Sequence, residues 1–241
     1  QRFCRNADKQ PGGIFNRIFS KKHIGFFIFL RRLDKEKSRS FLRGFFQNPI
    51  PMFDAEHAPV EAAKHDLHSG LFGGAVPNPC HLLCDIVSQL KDEKGRVIIP
   101  GFYDNVLPLE DWERQAFASL PWNDREFQES LDVPGLFGEE GFTTIERKWA
   151  RPTLDINGIF GGYTGEGSKT IIPAWAGVKI TMRLVPNQDT KTISRLFRDY
   201  VQKITPHYVR LSFKKHHGGN PVLVPRDSRF MREAAEAMRF G

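Results

Sequence analysis

The stretch WAGVKITMRLV, residues 175–185, alternates apolar and polar side chains along its length. Successive side chains of a β-strand point to opposite faces of the sheet, so this pattern predicts a strand with one buried face. The buried face would carry Ala176, Val178, Ile180, Met182 and Leu184, and the other face Lys179, Thr181 and Arg183. The rest of the fold can be placed around this strand.

The segments on either side of residues 175–185 also repeat apolar side chains at regular spacings that predict helices and strands. Asp189 or Thr190 caps a helix after the strand, since either side chain can accept a backbone hydrogen bond there. The buried stripe of this helix is Ile193, Phe197, Tyr200, Val201 and Ile204, and a last strand is marked by Val209, Leu211 and Phe213. Upstream, residues 153–157 alternate as a strand, and residues 79–91 repeat apolar side chains at helical spacing.

A first strand near Pro59–Leu67, ending close to His68, completes the order βαββαβ. This order is that of a split βαβ unit, so we predict an α+β fold, a ferredoxin-like two-layer sandwich. Residues 96–149 interrupt the order as an insertion. Within it, residues 108–120 and 123–131 predict two short helices, because each opens with acids that suit a helix N-terminus.

The segment DLHSGLFGGAVPNP, residues 66–79, contains a strand end, a tight turn and a helix start. Its paired glycines allow the turn, and Asn78 between two prolines suits a helix N-terminus. A lone histidine at such a corner, here His68, is more often structural than functional. Three further segments follow in order: ARPTLDINGIFGGYTGEGSKTIIP at 150–173, ITMRLVPNQD at 180–189 and HHGGNPVLVPRDS at 216–228.

Together these four motifs resemble the lid domain of the metal-dependent dipeptidases of peptidase family M20, the superfamily of carnosinase, aminoacylase and succinyl-diaminopimelate desuccinylase. The resemblance implies a lid and dimerisation domain at residues 64–215 and a truncated return to an α/β catalytic domain at 216–241. It also implies a homodimer formed through the lid. The reaction implied is amide hydrolysis in dipeptides or N-acyl amino acids, with two zinc or manganese ions activating water.

The resemblance also assigns roles to four residues. His68 would reach across the dimer interface as a catalytic residue and donate to the oxyanion in the partner's site, as preorganised donors do. Thr170 would be delivered to the same neighbouring site. Arg183 would bind the substrate carboxylate, which a guanidinium fork suits. His217 would be a further substrate-binding histidine, with His216 as an ambiguous neighbour.

The family's metal ligands, a His-x-Asp pair, a bridging Asp, a further acid and a distal His, are not recognisable. Asp54-Ala55-Glu56-His57 has similar letters in another order and no evident strand context. Gly138-Glu139-Glu140-Gly141 resembles a catalytic acid pair but lies in the insertion, where we interpret it as a solvated turn. We therefore expect that this chain binds no metal and is catalytically incomplete.

Composition sets the remaining expectations. Hydrophobic content of 40% and charged content of 26% fit a globular protein, and three cysteines cannot form a disulfide framework, which favours the cytoplasm. Cys80 and Cys84, one helical turn apart, are interpreted as core packing because zinc needs three or four converging ligands.

The N-terminal segment differs in composition from the rest of the chain. Residues 1–45 hold twelve lysines and arginines against three acids, and residues 24–30 are too short an apolar run to cross a membrane. The resemblance does not extend over residues 1–63, which we interpret as a basic, phenylalanine-rich segment of doubtful nativeness.

The leading hypothesis is a fragment of an M20-type peptidase that supplies the dimerisation lid and substrate-carboxylate binding. One alternative is a non-catalytic dimerisation module. The other, ranked last, is a nucleic-acid or membrane tether formed by the basic N-terminal arm. We otherwise expect no nucleic-acid or membrane partner.

Overall fold

The computed structural model describes residues 52–224 and 228–237, and the basic segment of residues 1–45 lies outside them. The strands in chain order are β1 (Met52–Glu61), β2 (Leu67–His68), β3 (Thr153–Gly161), β4 (Ile171–Ile172), β5 (Trp175–Leu184), β6 (Arg210–Leu211) and β7 (Lys214–Gly218). The helices are α1 (Ser69–Phe72), α2 (Pro79–Ser88), α3 (Asp111–Ala118), α4 (Asp124–Leu131), α5 (Thr144–Trp149), α6 (Thr190–Ile204) and α7 (Arg229–Ala237).

An antiparallel sheet with the strand order β3-β5-β1-β6 organises the described residues, with β7 also paired to β1. Strand β1 is central: it pairs with β5 from Met52–Leu184 to Glu61–Trp175, and with β6 and β7 on its other side. A second, two-stranded sheet joins β2 to β4. The architecture is therefore mixed α/β with antiparallel sheets.

The predicted first strand is wrong in position. Strand β1 ends at Glu61, and Leu67–His68 form the separate strand β2. The sequence hides β1 because Glu56, in its middle, is only 1% exposed, and its carboxylate accepts hydrogen bonds from Ser194 Oγ and from Arg198 Nη2. The segment 54–57 thus does have strand context, and the sheet includes residues on the N-terminal side of the predicted boundary at 63.

One face of the sheet packs against α2 and α6. The sheet side chains predicted to be buried in β5 are buried, and they meet Leu83 and Ile86 of α2 and Ile193, Phe197 and Val201 of α6. Asp189 caps α6 by accepting a hydrogen bond from the Thr192 backbone N–H. These predictions for β5 and α6 are confirmed. We call the opposite face of the sheet, which these helices leave uncovered, the open face.

The insertion forms a small core of its own, with Phe117, Leu120 and Ile145 buried together. Helices α3 and α4 confirm the two predicted helices. The predicted solvated turn is wrong for Glu139, which is 7% exposed. Arg151 Nε and Nη2 each donate to its carboxylate at 2.8 Å, whereas Glu140 is exposed and pairs with Lys94. The ion pair holds the insertion against the start of β3.

Candidate functional site

Two of the predicted site residues, His68 and Thr170, lie side by side beyond the end of the main sheet. His68 pairs with Ile171 in the two-stranded sheet, and the Ser69 N–H donates to the Thr170 carbonyl at 3.1 Å. The Ala174 N–H donates to Asp66 Oδ1 at 2.9 Å, which ties this corner to the start of β5. The motifs at 66–79 and 150–173 therefore meet at this corner.

The orientation of the His68 ring is set by a cap. Its Nδ1 accepts a hydrogen bond from the Gly70 N–H at 3.0 Å and so caps α1. A ring nitrogen that accepts carries no proton, so in the neutral imidazole the proton lies on Nε2. Nε2 lies 3.4 Å from Thr170 Oγ1, and both side chains are exposed. The corner can thus offer an N–H donor and a hydroxyl to an external oxygen.

Arg183 is located on the open face, far from this corner, and is partly covered by the insertion. Its Nη2 donates to the Arg147 carbonyl at 2.5 Å and to the Arg151 carbonyl at 3.4 Å. Its Nε is buried with no hydrogen-bond partner among the described residues. Burial lowers the pKa of Arg183, and the carboxylate of Asp155 partly offsets this effect. The Nε–H of the guanidinium is therefore left without a hydrogen bond among the described residues.

The effect of Arg183 extends to Lys148 in the insertion. Burial, and then the charge of Arg183, lower the pKa of the Lys148 amine. The ammonium lies over the rings of Trp122 and Phe127, at 4.7 and 4.3 Å from their centroids. These cation–π contacts stabilise a charge that the neighbouring guanidinium disfavours.

His217 belongs to β7, where its backbone pairs with Ala55, and its side chain lies outside the described part. The neighbouring His216 ring stacks on His57, with centroids 6.1 Å apart and planes 21° apart. The sequence prediction missed His57 because it missed β1. The alternation of Ala58 and Val60 with His57 and Pro59 was the signal that could have found it.

The four predicted site residues form two groups at opposite ends of β5. Trp175, at the end near Thr170, pairs with Glu61, whereas Arg183 pairs with Phe53 near the other end. His217 lies opposite Ala55, close to the Arg183 end. Eight residues of strand separate Trp175 from Arg183, which corresponds to about 27 Å. One copy of the chain therefore does not bring all four residues together.

The described residues do not provide a metal centre. They contain no group of three or more His, Cys, Asp or Glu side chains placed to hold a metal ion. Neighbouring Glu56 and His57 point to opposite faces of β1. The core-packing prediction for the cysteines is half wrong: Cys80 is partly buried against the main core, but Cys84 is exposed. Nor is any helix within the described ranges long and apolar enough to span a bilayer.

The described residues thus form a sheet covered on one face by two helices, with a histidine–threonine corner beyond its end. The chain belongs to the M20 peptidases through their dimerisation domain: the family profile described as "Peptidase dimerisation domain" matches residues 57–209. The family predicted from the four motifs is confirmed.

Similar proteins agree with this assignment. Cys-Gly metallodipeptidase dug1 of Schizosaccharomyces pombe is 33% identical over 164 residues, which are 67% of this chain and 34% of that protein. An M20 family metallo-carboxypeptidase from Sulfolobus solfataricus is 32% identical, with a TM-score of 0.70 over 78% of this chain and 49% of that chain. Human carnosine dipeptidase 1, 24% identical, shares the fold with a TM-score of 0.71 over 80% and 42% of the two chains. The chain spans about a third of the length of the curated relatives it matches.

Proposed function

We propose that this chain supplies the dimerisation lid of a metal-dependent peptidase that hydrolyses dipeptides or N-acyl amino acids. The observation that carries the proposal is the His68–Thr170 corner, where a capped ring presents Nε2–H beside a hydroxyl. Such a donor pair suits the oxygen of an amide carbonyl as it gains negative charge. The relatives named as Cys-Gly and β-Ala-His dipeptidases support the substrate class.

The separation of the site residues supports a site shared between two chains. In this proposal, His68 and Thr170 of one copy act at the catalytic site of the other copy. Arg183 and His217 act from the opposite end of the sheet, where Arg183 holds the substrate carboxylate and His217 is a further substrate-binding residue. A guanidinium binds a carboxylate through two parallel N–H donors. Arg183 Nε is without a partner among the described residues, and Nη2 must exchange its backbone carbonyls for the substrate to complete the pair.

Strand β3 is the edge through which a second copy would pair. Its only strand partner within the described residues is β5, and it exposes Ile159 by 59% and Ile156 by 36%. A free strand edge with exposed apolar side chains is usually covered in native proteins. A homodimer formed by β3 together with the adjacent helix α2 covers it. The order β3-β5-β1-β6/β7, with two helices on one face, supports the ferredoxin-like sandwich as part of this proposal.

Two zinc or manganese ions would activate water in the parent enzyme. The described residues do not fit such a centre, so the roles above involve only substrate groups. The division into residues 1–63, 64–215 and 216–241 belongs to the proposal with one change: β1 (Met52–Glu61) is counted with the dimerisation domain. The cytoplasmic location suggested by three cysteines also belongs to the proposal.

Sedimentation equilibrium, metal analysis and dipeptide hydrolysis on the purified chain test the proposal. We expect a dimer. The chain could also hydrolyse Cys-Gly or β-Ala-His with added zinc or manganese and lose this activity in the His68→Ala variant. That result would extend the proposal to a complete active site. A dimer without metal or turnover would restrict the chain to the lid function. A monomer at high micromolar concentration would contradict the proposal.

A further inference from the structure

Three basic side chains lie next to one another across the open face of the sheet. His57 in β1 pairs with Lys179 in β5 on one side and with Lys214 in β7 on the other. Directly paired residues share a face and have Cβ atoms about 4.5–5.5 Å apart. The His216 ring, stacked on His57, adds a fourth basic group. We call Lys179, His57, Lys214 and His216 the cationic row.

The fold supplies no negative charge to the cationic row among the residues that the structure describes. Besides burial, which is the largest cause, the charged groups that lower the pKa of His57 are His216, Lys179 and Lys214, all of them basic. The carboxylates of this face are engaged elsewhere: Asp155 acts on Arg183, and Glu61 pairs with Arg210 at 3.4 Å. Like charges directly opposite one another destabilise a sheet. An external anion would remove this repulsion.

One atom within the cationic row also lacks a partner. His57 Nε2 is buried and makes no hydrogen bond to any described residue. A buried polar atom without a partner costs stability, so its retention is consistent with a ligand rather than with packing.

Aromatic rings border the cationic row. Phe160 lies 5.0 Å from the His57 ring and 5.6 Å from the Trp175 ring, and Trp175 is 46% exposed. Gly177 allows the rings to approach, because a Cβ there would lie 2.7 Å from Phe160 Cε2 and 3.2 Å from His57 Nε2. The open face thus combines cations with an exposed indole, a combination that suits a phosphate group attached to a planar base.

We propose that the open face binds a nucleoside phosphate, with the phosphates on the cationic row and the base against Trp175. The row crosses three strands and is therefore about 10 Å long, which suits one diphosphate or triphosphate group. Lysine cations donate charge-assisted hydrogen bonds to phosphate oxygens, and the N–H of an imidazole adds a neutral donor. This site lies on the open face of the sheet, and binding to it does not depend on peptide hydrolysis.

Titration calorimetry of the full chain with ADP, pyrophosphate and adenosine tests the proposal. We expect ADP to bind more tightly than pyrophosphate, and adenosine to bind most weakly, because only ADP fills both parts of the site. Replacing Lys179 and Lys214 together by Gln should weaken ADP binding about tenfold or more, the loss expected when charge-assisted hydrogen bonds are removed. The matched control, Lys191→Gln with Lys203→Gln on α6, removes the same charge from the helical layer and should change ADP binding by less than about twofold.

Each part of the site has an outcome that overturns it. Failure of ADP to bind at millimolar concentration, or an equal loss in the α6 control, overturns the phosphate site. The Trp175→Leu variant should weaken ADP binding but not pyrophosphate binding, and an equal effect on both overturns the stacking of the base. Because Lys179, Lys214 and Trp175 are exposed, circular dichroism of these variants should match that of the unmodified chain.

Discussion

His68 Nε2 lies 3.4 Å from Thr170 Oγ1, although 102 positions separate the two residues in the chain. The two-stranded sheet of β2 and β4 makes this contact possible, since it places His68 opposite Ile171. The cap on α1 then aims the ring, because Gly70 N–H occupies Nδ1. The proposed site thus depends on one short backbone ladder and one hydrogen bond.

Gly70→Ala should displace the His68 ring. A Cβ at residue 70 would lie 2.9 Å from His68 Cε1 and 3.1 Å from Nδ1, so the ring must move away from its cap. We expect the nitrogen-15 NMR signals of His68 to lose the pattern of an accepting Nδ1 and a protonated Nε2. Gly135→Ala is the control, because a Cβ there meets nothing within 4 Å. An unchanged His68 spectrum in Gly70→Ala would contradict the capping geometry.

Mixing two inactive variants should restore activity if the site is shared between chains. If His68 of one copy acts with Arg183 of the other, a dimer that mixes His68→Ala with Arg183→Ala contains one site with both groups intact. Random exchange of subunits then restores about a quarter of the unmodified activity in any form of the enzyme that turns over dipeptides. No recovery after mixing would place both residues in the same chain's site.

Ile159→Lys should weaken the dimer without unfolding the protein. The side chain is 59% exposed on the free edge of β3, so a charge there disrupts pairing between copies while remaining solvated in the monomer. Sedimentation equilibrium should show dissociation at concentrations where the unmodified chain is dimeric. Leu107→Lys, at a residue 51% exposed in the insertion, is the control and should remain dimeric. Equal dissociation in both variants would argue against the β3 edge.

Glu139→Ala should be strongly destabilising, whereas Glu140→Ala should not. Glu139 is 7% exposed and accepts two hydrogen bonds from Arg151, so its removal leaves a buried guanidinium without its partner. Breaking a buried ion pair typically costs about 3–5 kcal/mol. Glu140 pairs with Lys94 on the surface, and its loss should leave the free energy of unfolding nearly unchanged. Urea denaturation of both variants measures the difference, and similar midpoints would contradict the role of Glu139.

The cationic row predicts a pH dependence of stability. Burial, followed by His216, Lys179 and Lys214, lowers the pKa of His57 below its ordinary value of 6.5. Just below pH 6.5 the unfolded chain then binds more protons at His57 than the folded chain, so His57 makes the free energy of unfolding rise with pH across this range. His57→Gln should remove this contribution.

Titration of His57 by NMR provides the direct measurement. Lys179→Gln should raise the pKa of His57 because it removes a neighbouring cation, and Lys203→Gln on α6 should leave that titration unchanged. A His57 titration that does not respond to Lys179→Gln would contradict the electrostatic coupling along the row.

Features of the structure that depend on neighbouring residues could be predicted from the sequence, whereas features that depend on distant contacts could not. The alternation of residues 175–185 and the apolar stripe of α6 identify β5 and α6, because the core that they build is visible directly as a period. The period of strand β1 is visible only over residues 57–60, because Glu56 breaks it: this carboxylate is buried through contacts with Ser194 and Arg198, which lie 138 and 142 positions away. Glu139 is misjudged for the same reason, since its neutralising arginine belongs to the start of β3.

The site residues could likewise be identified from the sequence, but their arrangement could not. The four motifs carry His68, Thr170, Arg183 and His217, but the spacing of residues does not reveal that β5 holds them in two separate groups. Nor does it reveal that the Arg147 carbonyl of the insertion accepts a hydrogen bond from Arg183, since that contact requires the docked insertion. The cationic row is visible only from the register that pairs His57 with Lys179 and Lys214.

The central position of β1 has a consequence for the biosynthesis of the protein. During translation, Met52 leaves the ribosome long before Leu184, its partner in the ladder, and before the residues of β7 on its other side. Neither edge of β1 can be satisfied until β5 has been synthesised, and Glu56 meets its partners only once α6 follows. Such non-local pairing folds slowly and leaves a nascent strand exposed. Chaperone capture of the nascent chain should therefore be strongest while the insertion is being translated, and should end after β7, which ends at Gly218, has emerged.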